Sequence, residues 1–341
     1  KKAFIISSLL APIFASIFLA IHFSIVFFSP YSGKDVTFTV RPGEGFAKVN
    51  GRLASKNIIS DARLFHYYAK YTDKMTKIKA GTYEITNGMH MGEVLDTLVD
   101  GVPILTSVTI PEGKNMYEIG KILEQSKITS YEDFLKECKD PKNIELIKAD
   151  APSVEGYLFP DTYKFAKGTP ANEVLRAMIN LFNQKTDDLD FSKRENLSKH
   201  EVIILASIVE KETGAKVERP TIAGVYLNRL EKRMRLQADP TTIYGIWENY
   251  NGNLKKKHLL QKTDYNTYKM SGLPLGPIAN PSLAAIKAVL NPEEHNYIYF
   301  VSKNDGTHVF TTTYKEHLKA VEYWQKNYRN RKGKSWRDLK Q

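Results

Sequence analysis

The feature that most constrains this chain is its start. Ala3 to Phe28 is a run of 26 residues without a charged side chain, interrupted only by Pro12, His22 and a few serines. A helix needs about 20 apolar residues to cross the hydrocarbon core of a bilayer, so a transmembrane anchor is expected over residues 1–30. Lys1 and Lys2 flank it, and the bias of basic residues toward the cytoplasm places the N-terminus inside and everything after Ser29 outside the inner (cytoplasmic) membrane. The rival is a cleaved signal peptide. Its apolar region runs only about 7 to 15 residues, and no small-x-small cleavage site stands before Pro30.

Beyond that run the chain reads as globular. With 341 residues, 42% of them hydrophobic and 26% charged, it can bury a sizeable core in roughly two domains. Cys138 is the one cysteine, so there is no disulfide within the chain and no Cys-based metal cluster. Nothing matches H-E-x-x-H, G-x-S-x-G, a P-loop or a Gly-rich dinucleotide turn, and neither a metal nor a cofactor is expected. The formal charge is +11, and Lys319 to Gln341 hold eight basic residues against two acids. This tail reads either as a contact for anionic lipid or wall polymer or as a solvated helix end that frays. Nucleic acid is not an expected partner, because the chain beyond the anchor does not meet it.

Val36 to Val40 alternates as a strand, Arg41-Pro42-Gly43 is a turn, and Ala47 to Ser55 is a helix with Val49 and Leu53 on one face. A shift of 70 residues pairs Thr39 with Thr109, Gly43 with Gly113, Leu53 with Leu123, Ile58 with Ile128 and Ser60 with Ser130, and it matches Val40 to Ile110, Val49 to Ile119 and Leu64 to Phe134. The pattern predicts a duplicated strand-turn-helix unit. Between the copies, Lys79-Ala80-Gly81-Thr82-Tyr83 to Ile85 enters a strand and Gly92 to Val99 forms a helix. The strand, turn and helix ending in K-A-G-T-Y-x-I resemble a divergent LysM module, a small fold that binds N-acetylglucosamine polymers; a ligand-free α+β module is the alternative.

Glu155-Gly156-Tyr157-Leu158-Phe159-Pro160 opens a second region near Ala151, followed by a helix over residues 171–185 and a polar connector from Thr186 to His200. Ser198 and Glu201 have the spacing of a capping box, so a helix is expected from there through Thr213. At 100° per residue Glu212 falls between Leu205 and Ile208 on the apolar arc, while Glu210 falls beside Ser207 and the polar Lys211. A carboxyl in an apolar setting favours its protonated form, which is what a general acid for a glycosidic bond needs. The alternative for Glu212 is a structural ion pair with Arg229 or Arg235.

Three loops follow: Leu236 to Gly245, Asp264 to Tyr268, and Gly272 to Pro281. Tight turns carrying Tyr, Asn, Gln and Thr suit a sugar-binding groove. This makes Gln237, Asp239, Thr241, Tyr244, Asn266, Tyr268 and Asn280 the candidate substrate-binding residues. Asp239 also reads as a helix cap before Pro240, Glu155 as a further acid or a structural one, and His308, beyond the strand Tyr297 to Val301, as a proton partner or a packed residue.

The strings A-S-I-V-E-K-E-T, L-N-R-L, L-Q-A-D-P-T-x-x-Y-G, Y-N-T-Y, G-L-P-x-G-P-I-x-N-P and H-x-F, in this order, closely resemble the YceG-like endolytic murein transglycosylases, from the anchor to about Val321. The resemblance implies cleavage of nascent peptidoglycan glycan strands between N-acetylmuramic acid and N-acetylglucosamine, leaving 1,6-anhydromuramyl ends. It places the catalytic glutamate at Glu212 and implies the penicillin-binding protein synthases as partners. The E-S, G-L-M-Q and A-Y-N-A-G signatures of the lysozyme-like transglycosylases are absent, so their residue roles do not carry over.

The chain is therefore expected to be α+β: an anchor over 1–30, a LysM-like module over 31–105, a second repeat-like connecting unit over 106–150, and a catalytic domain with a basic tail over 151–341. Two rivals stand beside the transglycosylase. One is a non-catalytic peptidoglycan-binding scaffold; the other is a muramidase-type hydrolase in which Asp239 or Glu155 activates water.

Overall fold

The computed structural model describes residues 2–41, 43–327 and 330, without the side chains of 2–13 and 15. It is a mixed α+β chain. Helix α1, Lys2–Phe27, is followed by β1 (Val36–Val40), α2 (Phe46–Ser55), α3 (Ala62–Tyr71), β2 (Gly81–Ile85) and α4 (Met91–Val99). Next come β3 (Leu105–Thr109), α5 (Met116–Gln125), α6 (Tyr131–Cys138), α7 (Pro141–Ile144), β4 (Thr162–Ala166) and α8 (Ala171–Thr186). The chain continues with α9 (Lys199–Glu212), α10 (Arg219–Glu231), α11 (Asp239–Gly245), α12 (Lys256–Leu260), α13 (Leu283–Leu290), β5 (Tyr299–Ser302), β6 (His308–Thr311) and α14 (Tyr314–Val321). The strands form three two-stranded sheets: β1 with β2, β3 with β4, and β5 with β6.

The chain divides into two compact units. The first holds residues up to Ser107 with 126–129 and 164–170; the second holds 108–125, 130–163 and the chain from Ala171 onward. In the first unit β1 and β2 run antiparallel, with Phe38 opposite Tyr83, and Phe38, Val49, Leu53, Phe65, Tyr83, Leu95 and Leu98 are all buried beneath them. Burial of such side chains is worth about 1.5–3 kcal/mol each, which lets so small a unit hold a core. Most described apolar residues of α1, among them Phe14, Phe18, Leu19 and Ile25, are exposed, while Val26 and Phe27 at its end pack into the first unit's core. The predicted anchor rests largely on residues whose side chains are not described; among the described residues no helix is long and apolar enough to cross a membrane. Pro42 of the predicted turn and most of the basic tail, residues 328, 329 and 331–341, also lie outside the described residues.

Several positions paired by the 70-residue shift share backbone geometry. Gly43 and Gly113 take φ of 70° and 73°, and Asn57 and Lys127 take φ of 55° and 58° after their helices, a left-handed geometry uncommon outside glycine. The paired strand threonines each bond a threonine on the facing strand, Thr39 to Thr82 at 2.9 Å and Thr109 to Thr162 at 2.8 Å. Val49, Leu53, Ile119 and Leu123 are all fully buried. The match of Leu64 to Phe134 is off by one: the buried aromatic residue of α3 is Phe65. The two turns have different surroundings. A Cβ on Gly43 would meet nothing within 4 Å, whereas one on Gly113 would lie 3.4 Å from Glu210 Cγ.

In the second unit α9 packs against α10, α11 and α13. Its start is the predicted capping box, Ser198 accepting from the Glu201 amide and Glu201 from that of Ser198. Every residue from Val202 to Val209 is buried.

Candidate functional site

The site is built around the last turn of α9. The loop Gly272 to Pro281 docks on this helix through Ser207, whose hydroxyl accepts from the Ile278 amide at 3.0 Å. The Gly113 turn docks on it too: Lys211 Nζ donates to the Gly113 carbonyl at 3.2 Å, and the Gly113 amide donates to the Asn280 carbonyl at 3.0 Å. The end of the helix is thus tied through its Ser207 and Lys211 side chains to the backbone of two loops, which also bond to each other.

The helical wheel placed Glu212 on the buried face and Glu210 on the polar one; the structure corrects the second half. Glu210 is buried as well, bonded to Arg219 at 2.7 Å with both side chains 7% exposed, and it also accepts from the Ser282 amide at 3.0 Å. A helix covered on all sides gives the wheel no polar face to find. What separates the acids is the partner. Among the described residues Glu212 has no ion pair. Arg229 Nε and Nη1 donate to the carbonyls of Ile298 and Leu236 at 2.7 Å each, and Arg235 donates to the Tyr268 carbonyl. The ion-pair reading of Glu212 therefore does not hold.

Glu212 keeps part of its surface open to solvent, yet its carboxyl is packed tightly enough that burial pushes its pKa up to about 7, with the charge of Asp239 adding to the rise. Two groups pull the other way, the Tyr226 hydroxyl and the positive charge of Arg229. Tyr226 and Arg229 sit one turn apart on α10 and are themselves buried. Asp239 accepts from the Tyr268 hydroxyl at 2.7 Å. Burial, then the neighbouring Asp239, holds the Tyr268 phenol well above its usual range. Gln237, with φ of 50°, is exposed in the same loop, a strained backbone of the kind that clusters at working sites.

The sequence-predicted residues therefore divide. Gln237, Asp239 and Tyr268 belong with Glu212 or on the loop beside it. Thr241 and Asn266 do not line a groove: they are 0% and 1% exposed. The Thr241 hydroxyl donates to the Ala238 carbonyl at 2.7 Å, and Asn266 gives its amide to the Gln261 carbonyl at 2.6 Å. Polar side chains in tight loops are needed first by the loop's own backbone, and that need explains the correction. Asp239 is not a cap either; Ala238 holds that position and α11 begins at Asp239 with no side-chain cap bond.

Tyr244 and Asn280 gather instead around Glu155. This carboxylate is 1% exposed and accepts from the Met116 amide at 2.8 Å, the Tyr244 hydroxyl at 3.0 Å and the Asn280 amide at 2.6 Å. Asn280 accepts in turn from the Gly156 and Leu158 amides. Burial lifts Glu155 to about 7 against the pull of those donors. His308 is packed, its Nδ1 2.8 Å from Glu218 Oε2. Tyr226 went unmarked in the sequence although the L-N-R-L motif adjoins it; the spacing of Tyr226 and Arg229 on a helix opened by Pro220 is the signal that points there.

Comparison with known proteins gives one consistent answer. A model of the YceG-like family matches residues 38–323. The endolytic murein transglycosylase of Bacillus subtilis (strain 168) is 31% identical over 304 residues, 84% of this chain and 84% of that one. That of Streptococcus pneumoniae (strain ATCC BAA-255 / R6) is 30% identical over 324 residues, 85% of this chain and 58% of its relative's length. A crystal structure of a YceG-like protein from Listeria monocytogenes aligns with a TM-score of 0.58 at 30% identity, covering 84% of this chain and 99% of that one.

Proposed function

Because the chain belongs to the YceG-like family, we propose from that premise that it is an endolytic murein transglycosylase, a lyase that cuts peptidoglycan glycan strands internally, and that Glu212 performs the chemistry. The observation that carries the assignment of the residue is its setting: a part-buried glutamate with no ion pair among the described residues, beside the Tyr226 hydroxyl and with its pKa raised by burial to about 7.

The reaction needs one residue twice. Protonated Glu212 gives its proton to the oxygen linking N-acetylmuramic acid to N-acetylglucosamine as that bond breaks. The resulting carboxylate then takes the proton of the muramyl 6-hydroxyl, whose oxygen closes on the anomeric carbon to leave a 1,6-anhydro end. The nucleophile belongs to the substrate, so no second carboxylate has to activate water. A pKa near the working pH suits a group that must donate and then accept. Tyr226 keeps the carboxyl oriented, and Asp239 keeps it protonated. Glu155 is a poor water-activating base, since it is 1% exposed and already accepts from three protein donors.

The exposed apolar side chains of α1 support the anchor reading, with Ser24 satisfied inside the helix by the Ala20 carbonyl at 2.8 Å. In this proposal the N-terminus is cytoplasmic, the rest of the chain faces the wall, the LysM-like module grips N-acetylglucosamine units, and cleavage beside the membrane-bound penicillin-binding protein synthases limits strand length. Mass spectrometry of uncrosslinked strands incubated with the protein tests the reaction. Anhydromuramyl ends are expected; reducing ends would make it a hydrolase, and intact strands bound by folded protein would make it a scaffold.

A further inference from the structure

A recess lies in the same unit as Glu212. It is a cleft of about 260 Å³ walled by Tyr117, Tyr244, Trp247 and Tyr265, with Lys139 and Glu248 on its edge. Tyr117 and Trp247 lie nearly parallel, 5.8 Å apart at 16°, and Tyr244 and Tyr265 tilt against each other at 4.7 Å. Lys139 Nζ stands 5.8 Å from the centre of the Tyr117 ring. The Tyr244 ring is fixed from behind, because its hydroxyl is committed to Glu155. Flat aromatic faces with a polar, charged edge match a pyranose ring, which offers an apolar C–H face and a rim of hydroxyls. The volume sits near the lower end of small-ligand sites, roughly 300 Å³, and suits one sugar rather than a strand.

Two segments tie this cleft to the Glu212 cluster. Helix α11 puts Asp239 beside Tyr268 and Tyr244 in the cleft, five residues further on and about 7.5 Å along the axis. The next loop repeats the arrangement, with Tyr268 bonded to Asp239 and Tyr265 in the cleft. We propose that the cleft at Trp247 and Tyr117 is a second saccharide subsite, taking one N-acetylated aminosugar of the strand whose cleaved bond lies at Glu212. The inference rests on the transglycosylase reading and adds to it a position away from the reacting bond where binding is made.

The test uses the full chain in detergent with its tryptophans, Trp247, Trp324 and Trp336, replaced by 5-fluorotryptophan in the Glu212→Gln background. The Trp247 resonance, identified with Trp247→Leu, is followed while uncrosslinked glycan strands are added. A saturable shift of that resonance is expected. In the otherwise native protein, Trp247→Leu should raise KM about tenfold and Lys139→Ala about threefold, with melting temperatures near that of the parent. An unmoved Trp247 resonance, or unchanged KM in both variants, while the native protein cleaves the strands would overturn the subsite and leave the reaction standing. A saturable shift with no cleavage by the native protein would uphold the subsite and overturn the transglycosylase.

Discussion

Glu155 and Glu212 lie in the same compact unit, and burial lifts both carboxyls to about 7, but they are built for opposite ends. Glu155 is 1% exposed and takes donors from three separate segments, at Met116, Tyr244 and Asn280, so it works as a tie between them. Glu212 has the Tyr226 hydroxyl and a like charge nearby at Asp239, and the residue is only part-buried. A raised pKa therefore does not identify a catalytic acid by itself. The raised value counts when the residue is also part-exposed and its carboxyl is not tied to several backbone and side-chain donors, as Glu155 is.

That contrast can be broken most sharply by Glu212→Gln. Strand cleavage should fall by about 10²–10⁴, the range of a lost general acid or base, with the melting temperature at neutral pH no lower than in the parent. Release of soluble fragments and a thermal melt check both halves. Glu155→Ala should do the reverse. Leaving its buried donors without an acceptor costs about 3 kcal/mol or more, a drop in melting temperature of roughly 5–10 °C for a unit of this size, while protein kept folded in the cold still cleaves.

Stability should also depend on pH with a definite sign. Both folded carboxyls sit near 7, against an ordinary value of 4.5, so between those values the folded chain holds protons the unfolded one has released. Their contribution is fully present below about 4.5 and is lost as pH rises through about 7. Glu212→Gln removes its share of that loss, so its melting temperature should gain on the parent's between pH 5 and pH 8; an identical pH dependence would contradict the raised value at Glu212. The smallest effects concern the neighbours. Tyr226→Phe removes a bond that favours the carboxylate and should move the alkaline limb of activity up by less than about one pH unit, and Asp239→Asn should move it down by a similar amount. Both profiles come from initial rates between pH 5 and pH 9.

The legible parts of the molecule were those written in local pattern. The capping box at Ser198 and Glu201 and the strand Val36 to Val40 depend on residues a few positions apart, and each stands in the structure as read. Glu210 was misread because α9 is covered on every side, leaving no polar stripe to detect. Thr241 and Asn266 were misplaced because a loop that binds sugar and a loop that satisfies its own backbone use the same residue types. Tyr226 and the pairing of Tyr117 with Trp247 are contacts between distant segments, which no short-range pattern records.

The most direct test of which carboxyl is the acid is the pH profile of kcat/KM for strand cleavage in the parent and in Glu155→Gln, measured where both are folded. This quantity reports groups of the free enzyme. With Glu212 as the acid, both proteins show activity falling above a pKa of about 7; a limb that disappears when Glu155 is replaced would assign the acid to Glu155 and contradict the account.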